Sequence, residues 1–156
     1  MKTRYTLFQI ALEVIGMILL VLYIAFIAGS WGNLPDMVPA HFNAAGIVDR
    51  WGNKSEIIFL PAIAALMYAG MSIILFFPQT WNVPKARSLE NSYFVYSTIK
   101  TMMIFLKAEI VATFFFISYF SIMGSNLPVW FLPVYLIILF VPIIYFTFKS
   151  YRLARM

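Results

Sequence analysis

His41 is the sole histidine in the chain, and the acids Asp36, Asp49 and Glu56 lie close to it in sequence. An imidazole among carboxylates can act as a base, a metal ligand or a pH-sensitive switch. A zinc site takes three or four protein ligands, commonly with further His or Cys. This chain has no cysteine, which excludes cysteine-ligated metals, and one histidine with scattered carboxylates is a weak ligand set, so no metal or other cofactor is expected. General-base catalysis needs a substrate or nucleophile held within hydrogen-bond reach. No serine triad, glycine-rich phosphate loop or His-Glu-x-x-His helix supplies one. No catalytic residue is assigned, and the reading leans away from an enzyme. His41 and Asn43 are expected to hydrogen-bond the surrounding backbone and hold its shape, on which recognition can be built.

A second set of reactive groups lies inside long apolar runs: Glu13 in the first, Lys107 and Glu109 in the third. Ionisable groups in hydrocarbon are costly, and they are paired or functional. Lys107 and Glu109 are separated by about 200° around a helix, so they face different neighbours. The sequence predicts a Glu13–Lys107 pair that fixes helix register, with Glu109 bonding Tyr, Ser or Thr hydroxyls elsewhere. The competing reading is a proton or ion relay through Glu13 and Glu109.

The elements that must position these groups follow from composition. Hydrophobic residues make up 63% of the 156 residues and charged residues 11%, against about 45–50% and about 25% in soluble domains. Four runs, near residues 7–29, 57–77, 101–123 and 129–148, reach the roughly 20 residues that a membrane helix needs. They lack the period-two alternation of barrel strands. The first could be a signal peptide, but its apolar stretch exceeds the usual 7–15 or so residues, and it is read as a retained span. The predicted fold is an all-α integral membrane protein of one domain, residues 1–156. It is a four-helix transmembrane bundle with an ordered extracytoplasmic loop, residues 30–56, between helices 1 and 2.

Basic residues cluster at Lys2 and Arg4, at Lys85, Arg87 and Lys100, and at Lys149, Arg152 and Arg155. That is a positive-inside pattern with both termini cytoplasmic. The net charge of +5 reflects topology and anionic lipid; no nucleic-acid partner is expected. Pro35 and Pro39 oppose helix in the outer loop, and Gly46 and Gly52 permit sharp turns. The cytoplasmic connection, residues 78–100, is read as a surface linker, with a short interfacial helix over 88–96 as the alternative. Ala25-xxx-Gly29 and Ala65-xxx-Ala69 are expected to allow close helix approach.

Leu34-Pro35, Pro39-x-His41-Phe42-Asn43, Gly46-x-x-Asp49, Gly52-x-Lys54 and Pro61 resemble the N-terminal membrane domain, of uncharacterised function, of the SdpI-like bacterial immunity family. The resemblance covers about residues 20–65. It implies a bacterial cytoplasmic membrane and immunity to a secreted killing peptide, joined in some members to capture of a cytoplasmic regulator. The chain departs from the longer members, whose additional C-terminal membrane domain is expected to be absent here, so the motif domain is the shared part. Trp31, Phe42 and Trp51 offer apolar anchors at the membrane surface, and His41, Asn43, Asp49 and Lys54 offer polar orientation. The plainer reading makes Trp31 and Trp51 interfacial belt residues.

Three functions stay open on these residues. The first is a binding protein whose outer loop recognises a peptide toxin or lipid headgroup and confers resistance or signals inward. The second is a membrane-embedded enzyme or small transporter using His41, Asp49, Glu13 and Glu109. The third is an accessory subunit of an exporter.

Overall fold

Four apolar runs become four long helices, of which the first and third begin at a polar cap. The computed structural model describes residues 4–156. Helix α1 spans Leu7–Ser30, α2 Phe59–Leu75, α3 Leu89–Ile122 and α4 Phe131–Arg155. A hairpin of strands β1 (Met37–Phe42) and β2 (Val48–Asn53) joins α1 to α2. With the short helical turns Trp31–Asn33 and Lys54–Ile58 that adjoin α1 and α2, all four are long and apolar enough to cross a membrane, their 18-residue stretches having mean hydropathies of 2.7, 2.2, 1.7 and 2.4 in chain order. Side chains such as Leu66, Phe76 and Phe148 stand exposed around the bundle. Water would penalise that surface, whereas lipid is its natural solvent. The protein is thus a multi-pass membrane protein, mostly helical as expected.

Local signals set the helix ends. Thr6 caps α1 through a reciprocal pair: its hydroxyl accepts from the Gln9 amide at 3.2 Å, and the Gln9 side chain accepts from the Thr6 amide at 3.1 Å. Ser88 caps α3 by accepting from the Asn91 amide at 3.0 Å. That cap starts α3 at Leu89, well before Thr101. The linker expected over 78–100 therefore shortens, and the segment 88–96 is the continuous first part of α3 rather than a separate interfacial helix. Likewise α4 runs on to Arg155 instead of ending near Phe148.

Helix α3 is the axis of the bundle. It packs on α1, α2 and α4, while α4 packs mainly on α3. Its seam with α1 is stitched by polar contacts at three depths. Near the chain termini the buried Gln9 amide donates to the Ser97 carbonyl at 3.1 Å and to the Thr101 hydroxyl at 2.8 Å. Midway lies the Glu13–Lys107 ion pair. Towards the hairpin the Tyr23 and Ser118 hydroxyls meet at 2.6 Å. Both terminal segments share one end of the bundle, where the Arg87 amide donates to the Ala154 carbonyl at 3.3 Å. The hairpin occupies the other end, with the α3–α4 turn beside it.

The small-residue expectation is met at a different glycine. No atom stands within 4 Å of where a Gly29 β-carbon would be, whereas one at Gly16 would lie 3.2 Å from Tyr68 Cε2 and 3.4 Å from Ala108 Cβ. The close approach is at Gly16, between α1, α2 and α3.

Candidate functional site

Pro35 and Pro39 keep the segment after α1 extended, and the extended chain closes into an antiparallel hairpin. Val38 faces Gly52, Pro39 faces Trp51 and Phe42 faces Val48, with register shifts on both sides of His41. Such bulges re-aim side chains. The hairpin is rooted rather than free: Leu34, Val38 and Ile57 are buried in one core with Leu20, Tyr23 and Ile27 of α1 and Tyr68 of α2.

Asn43 builds the turn. Its Oδ1 accepts from the amides of Ala45 and Ile47, each at 3.0 Å. Gly46 completes the turn with φ of +80°, and a β-carbon there would come within 2.6 Å of the Leu127 carbonyl oxygen. In return the Leu127 amide donates to the Gly46 carbonyl at 2.8 Å, and the Val48 amide donates to Asn126 Oδ1 at 2.9 Å. The turn is therefore locked onto the α3–α4 connection.

Three ion pairs dress the hairpin. His41 Nδ1 meets Asp49 Oδ1 at 2.6 Å, Arg50 Nη2 meets Glu56 Oε2 at 2.8 Å, and Lys54 Nζ lies 3.5 Å from Asp36 Oδ1. Hydrogen bonding to Glu56 raises the Arg50 guanidinium above its ordinary value, with the carboxylate's charge adding to the effect. Gly52 makes room for this pair, because a β-carbon would overlap the Glu56 carboxylate. His41 departs from expectation: its ring pairs with a carboxylate, and of the two residues only Asn43 bonds the turn backbone. The reason is the bulged register, which sets His41 and Asp49 side by side. Exposed pairs of this kind contribute about 0–1 kcal/mol, so they orient groups more than they stabilise the fold.

Below the hairpin lies a cleft of about 490 Å³, within the roughly 300–1,000 Å³ of ordinary ligand sites. Phe59 and Leu60 of α2 form one wall, Phe131 and Leu132 of α4 another, and Ile117 and Ser121 of α3 line it between them. His41, Phe42, Asn43, Arg50 and Glu56 border it on the hairpin side. An amphipathic guest fits this chemistry, with apolar bulk against the helices and polar groups at the rim.

Of the residues singled out by sequence, His41, Phe42 and Asn43 line the cleft, and Asp49 reaches it through His41. Trp31, Trp51 and Lys54 do not line it. Trp31 instead borders a shallow apolar groove between α1 and α2 with Ile58 and Pro61. Glu56 stands out in the sequence only as a carboxylate near His41, and its pairing with Arg50 was not anticipated, although two opposite charges in a polar loop were a usable signal. Ile117, Ser121 and Phe131 carried none, because only the packing of α3 and α4 brings them near.

The charges within the bundle separate as their spacing requires. Lys107 Nζ contacts Glu13 Oε2 at 2.6 Å and donates to Ser72 Oγ at 2.7 Å. It also lies 4.3 Å from the centre of the Tyr68 ring, whose hydroxyl donates to the Glu13 carbonyl at 3.1 Å. Glu109 is different. It is 9% exposed, and neither carboxylate oxygen has a hydrogen-bond partner among the described residues. The hydroxyl partners expected for it are not there. Between Phe131 and Phe148 the neighbouring α4 offers only Tyr135, Tyr145 and Thr147 as hydroxyl bearers. Tyr135 is within electrostatic reach but not bonded.

Residues 18–65 match the family model of a domain of unknown function, DUF1648. The matched segment begins within α1, contains the whole hairpin and ends within α2. An uncharacterised protein of the archaeon Archaeoglobus fulgidus is 28% identical over 146 residues, covering 81% of this chain and 79% of that protein. No solved structure matches the chain.

Proposed function

We propose that this protein resists or senses a membrane-active peptide at the outer face of the cell membrane, as SdpI-like immunity proteins do. The carrying observation is the cleft beneath the hairpin, bordered by His41, Asn43, Arg50 and Glu56 and walled by α2, α3 and α4. Charge distribution supports placing it outside: Lys85, Arg87, Lys149, Arg152 and Arg155 gather at the opposite end, shared by the termini. A peptide partitioning into the outer leaflet would present an apolar face and a polar face together, and the cleft takes both. The match of residues 18–65 to DUF1648 adds support, since that segment carries the whole hairpin. The reading is binding rather than catalysis because the sequence carries no serine triad, phosphate loop or His-Glu-x-x-His motif to go with the His41–Asp49 pair.

The test is protection of a sensitive bacterial host expressing the chain, compared with hosts expressing H41A, N43A or D49A. Loss of protection with unchanged accumulation in the membrane is the expected result. Full protection by all three variants would overturn the reading.

A further inference from the structure

We propose that Glu109 is a proton-binding site inside the bilayer, located on the α3–α4 side of the bundle and separate from both the hairpin and the Glu13–Lys107 pair. Three observations carry it. First, the protein itself buries this side chain to 9% exposure, and surrounding lipid can only remove more water. Second, both carboxylate oxygens are enclosed and have no hydrogen-bond partner among the described residues. Third, the nearby cation is committed elsewhere: Lys107 faces Glu13, Ser72 and Tyr68 on the other side of α3.

A carboxylate enclosed without a counter-charge or donor is strongly disfavoured in such a medium. Glu13 on α1 meets the same demand with Lys107, the residue two positions before Glu109. Glu109 is left with a proton. The groups that could compete are few. Glu13 of α1 and Tyr68 of α2 lie on the Lys107 side. From α4, Tyr135 is within electrostatic range of Glu109 but makes no hydrogen bond to it, and α4 has no charged residue between Phe131 and Phe148. Lys100 lies over the Tyr5 ring at 4.3 Å, at the terminal end of the bundle. Glu109, Thr113, Ile117 and Ser121 follow at intervals of four along α3, so they share one face. Ser121 and Ile117 line the cleft, and Thr113 is buried between them and the carboxyl.

The test uses the full chain in lipid vesicles and the apolar reagent dicyclohexylcarbodiimide. A neutral carboxyl gives its proton to one carbodiimide nitrogen while its oxygen adds to the central carbon. The acyl group then migrates to a nitrogen, leaving a stable N-acylurea with no leaving group. Mass spectrometry is expected to find the adduct on Glu109 and not on Glu13. Labelling should fall about tenfold per pH unit once the carboxyl ionises. A water-soluble carbodiimide should label Glu109 far more slowly. Infrared spectra should contain the carbonyl band of a neutral acid, lost in E109Q, which keeps side-chain size and so the fold. Absence of that band in the native chain, its survival in E109Q, or equal labelling of Glu13 and Glu109 would each overturn the proposal.

Discussion

The Lys107 ammonium lies 2.6 Å from the Glu13 carboxylate and 4.3 Å from the Tyr68 ring centre, so one cation ties three helices together. Lys107 is 2% exposed and Glu13 23%. Stripping one partner from such a pair leaves an uncompensated charge, at a cost of about 3–5 kcal/mol, whereas replacing both with apolar groups is often near neutral. K107M is therefore expected to lower unfolding stability in mixed micelles sharply, and E13L/K107M to recover most of the loss. A double variant as unstable as K107M would contradict the pairing.

Gly16 rather than Gly29 is where the backbone needs a missing side chain. A β-carbon at Gly16 would sit 3.2 Å from Tyr68 Cε2, while one at Gly29 would meet nothing within 4 Å. G16L should push Tyr68 from its place over Lys107 and cost about 1–3 kcal/mol, the usual range for overpacking. G29L should be close to neutral in the same unfolding measurement, and a larger loss for G29L than for G16L would reverse the assignment.

What the chain discloses in advance and what it withholds divides along physical lines. The four spans were legible because hydrocarbon selects on length and apolarity, which are local. The Glu13–Lys107 pair was legible because two opposite charges at matching depth have few other partners. The hairpin was not, since Met37–Phe42 and Val48–Asn53 lack a clean alternation and Pro39 argues against a strand. Its stability comes from Val38, Leu34 and Ile57 sinking into the bundle, a tertiary effect. Glu109 was misjudged for the same reason: whether a hydroxyl reaches it depends on the rotation of α4, which no spacing in the sequence fixes.

Gly46 carries a sharper expectation. Its φ of +80° is a conformation other residues adopt at a cost, and a β-carbon would press within 2.6 Å of the Leu127 carbonyl oxygen. G46A combines left-handed strain of about 1–2 kcal/mol with that overlap. It should detach the turn from the α3–α4 connection without melting the helices. Hydrogen exchange is the suitable readout, because the Leu127 and Val48 amides donate across this contact. Both should exchange faster in G46A, while the Tyr23–Ser118 region stays protected. Unchanged exchange at Leu127 would mean that the turn is held by something else.

The His41–Asp49 pair separates shape from recognition. Its side chains are 63% and 43% exposed, and exposed pairs rarely contribute more than about 1 kcal/mol. The hairpin owes its place to Val38, Leu34 and Ile57, and its turn to Asn43. H41A and D49A should therefore leave unfolding stability within about 0.5 kcal/mol of the native chain, as surface substitutions do. N43A should cost more, because two turn amides lose their acceptor. If the cleft rim recognises a peptide, H41A and D49A should still weaken binding to the vesicle-embedded chain while N43A weakens binding and stability together. Fluorescence titration of a labelled amphipathic peptide would resolve these outcomes. Affinity that follows stability across all three variants would leave the pair with no part in recognition.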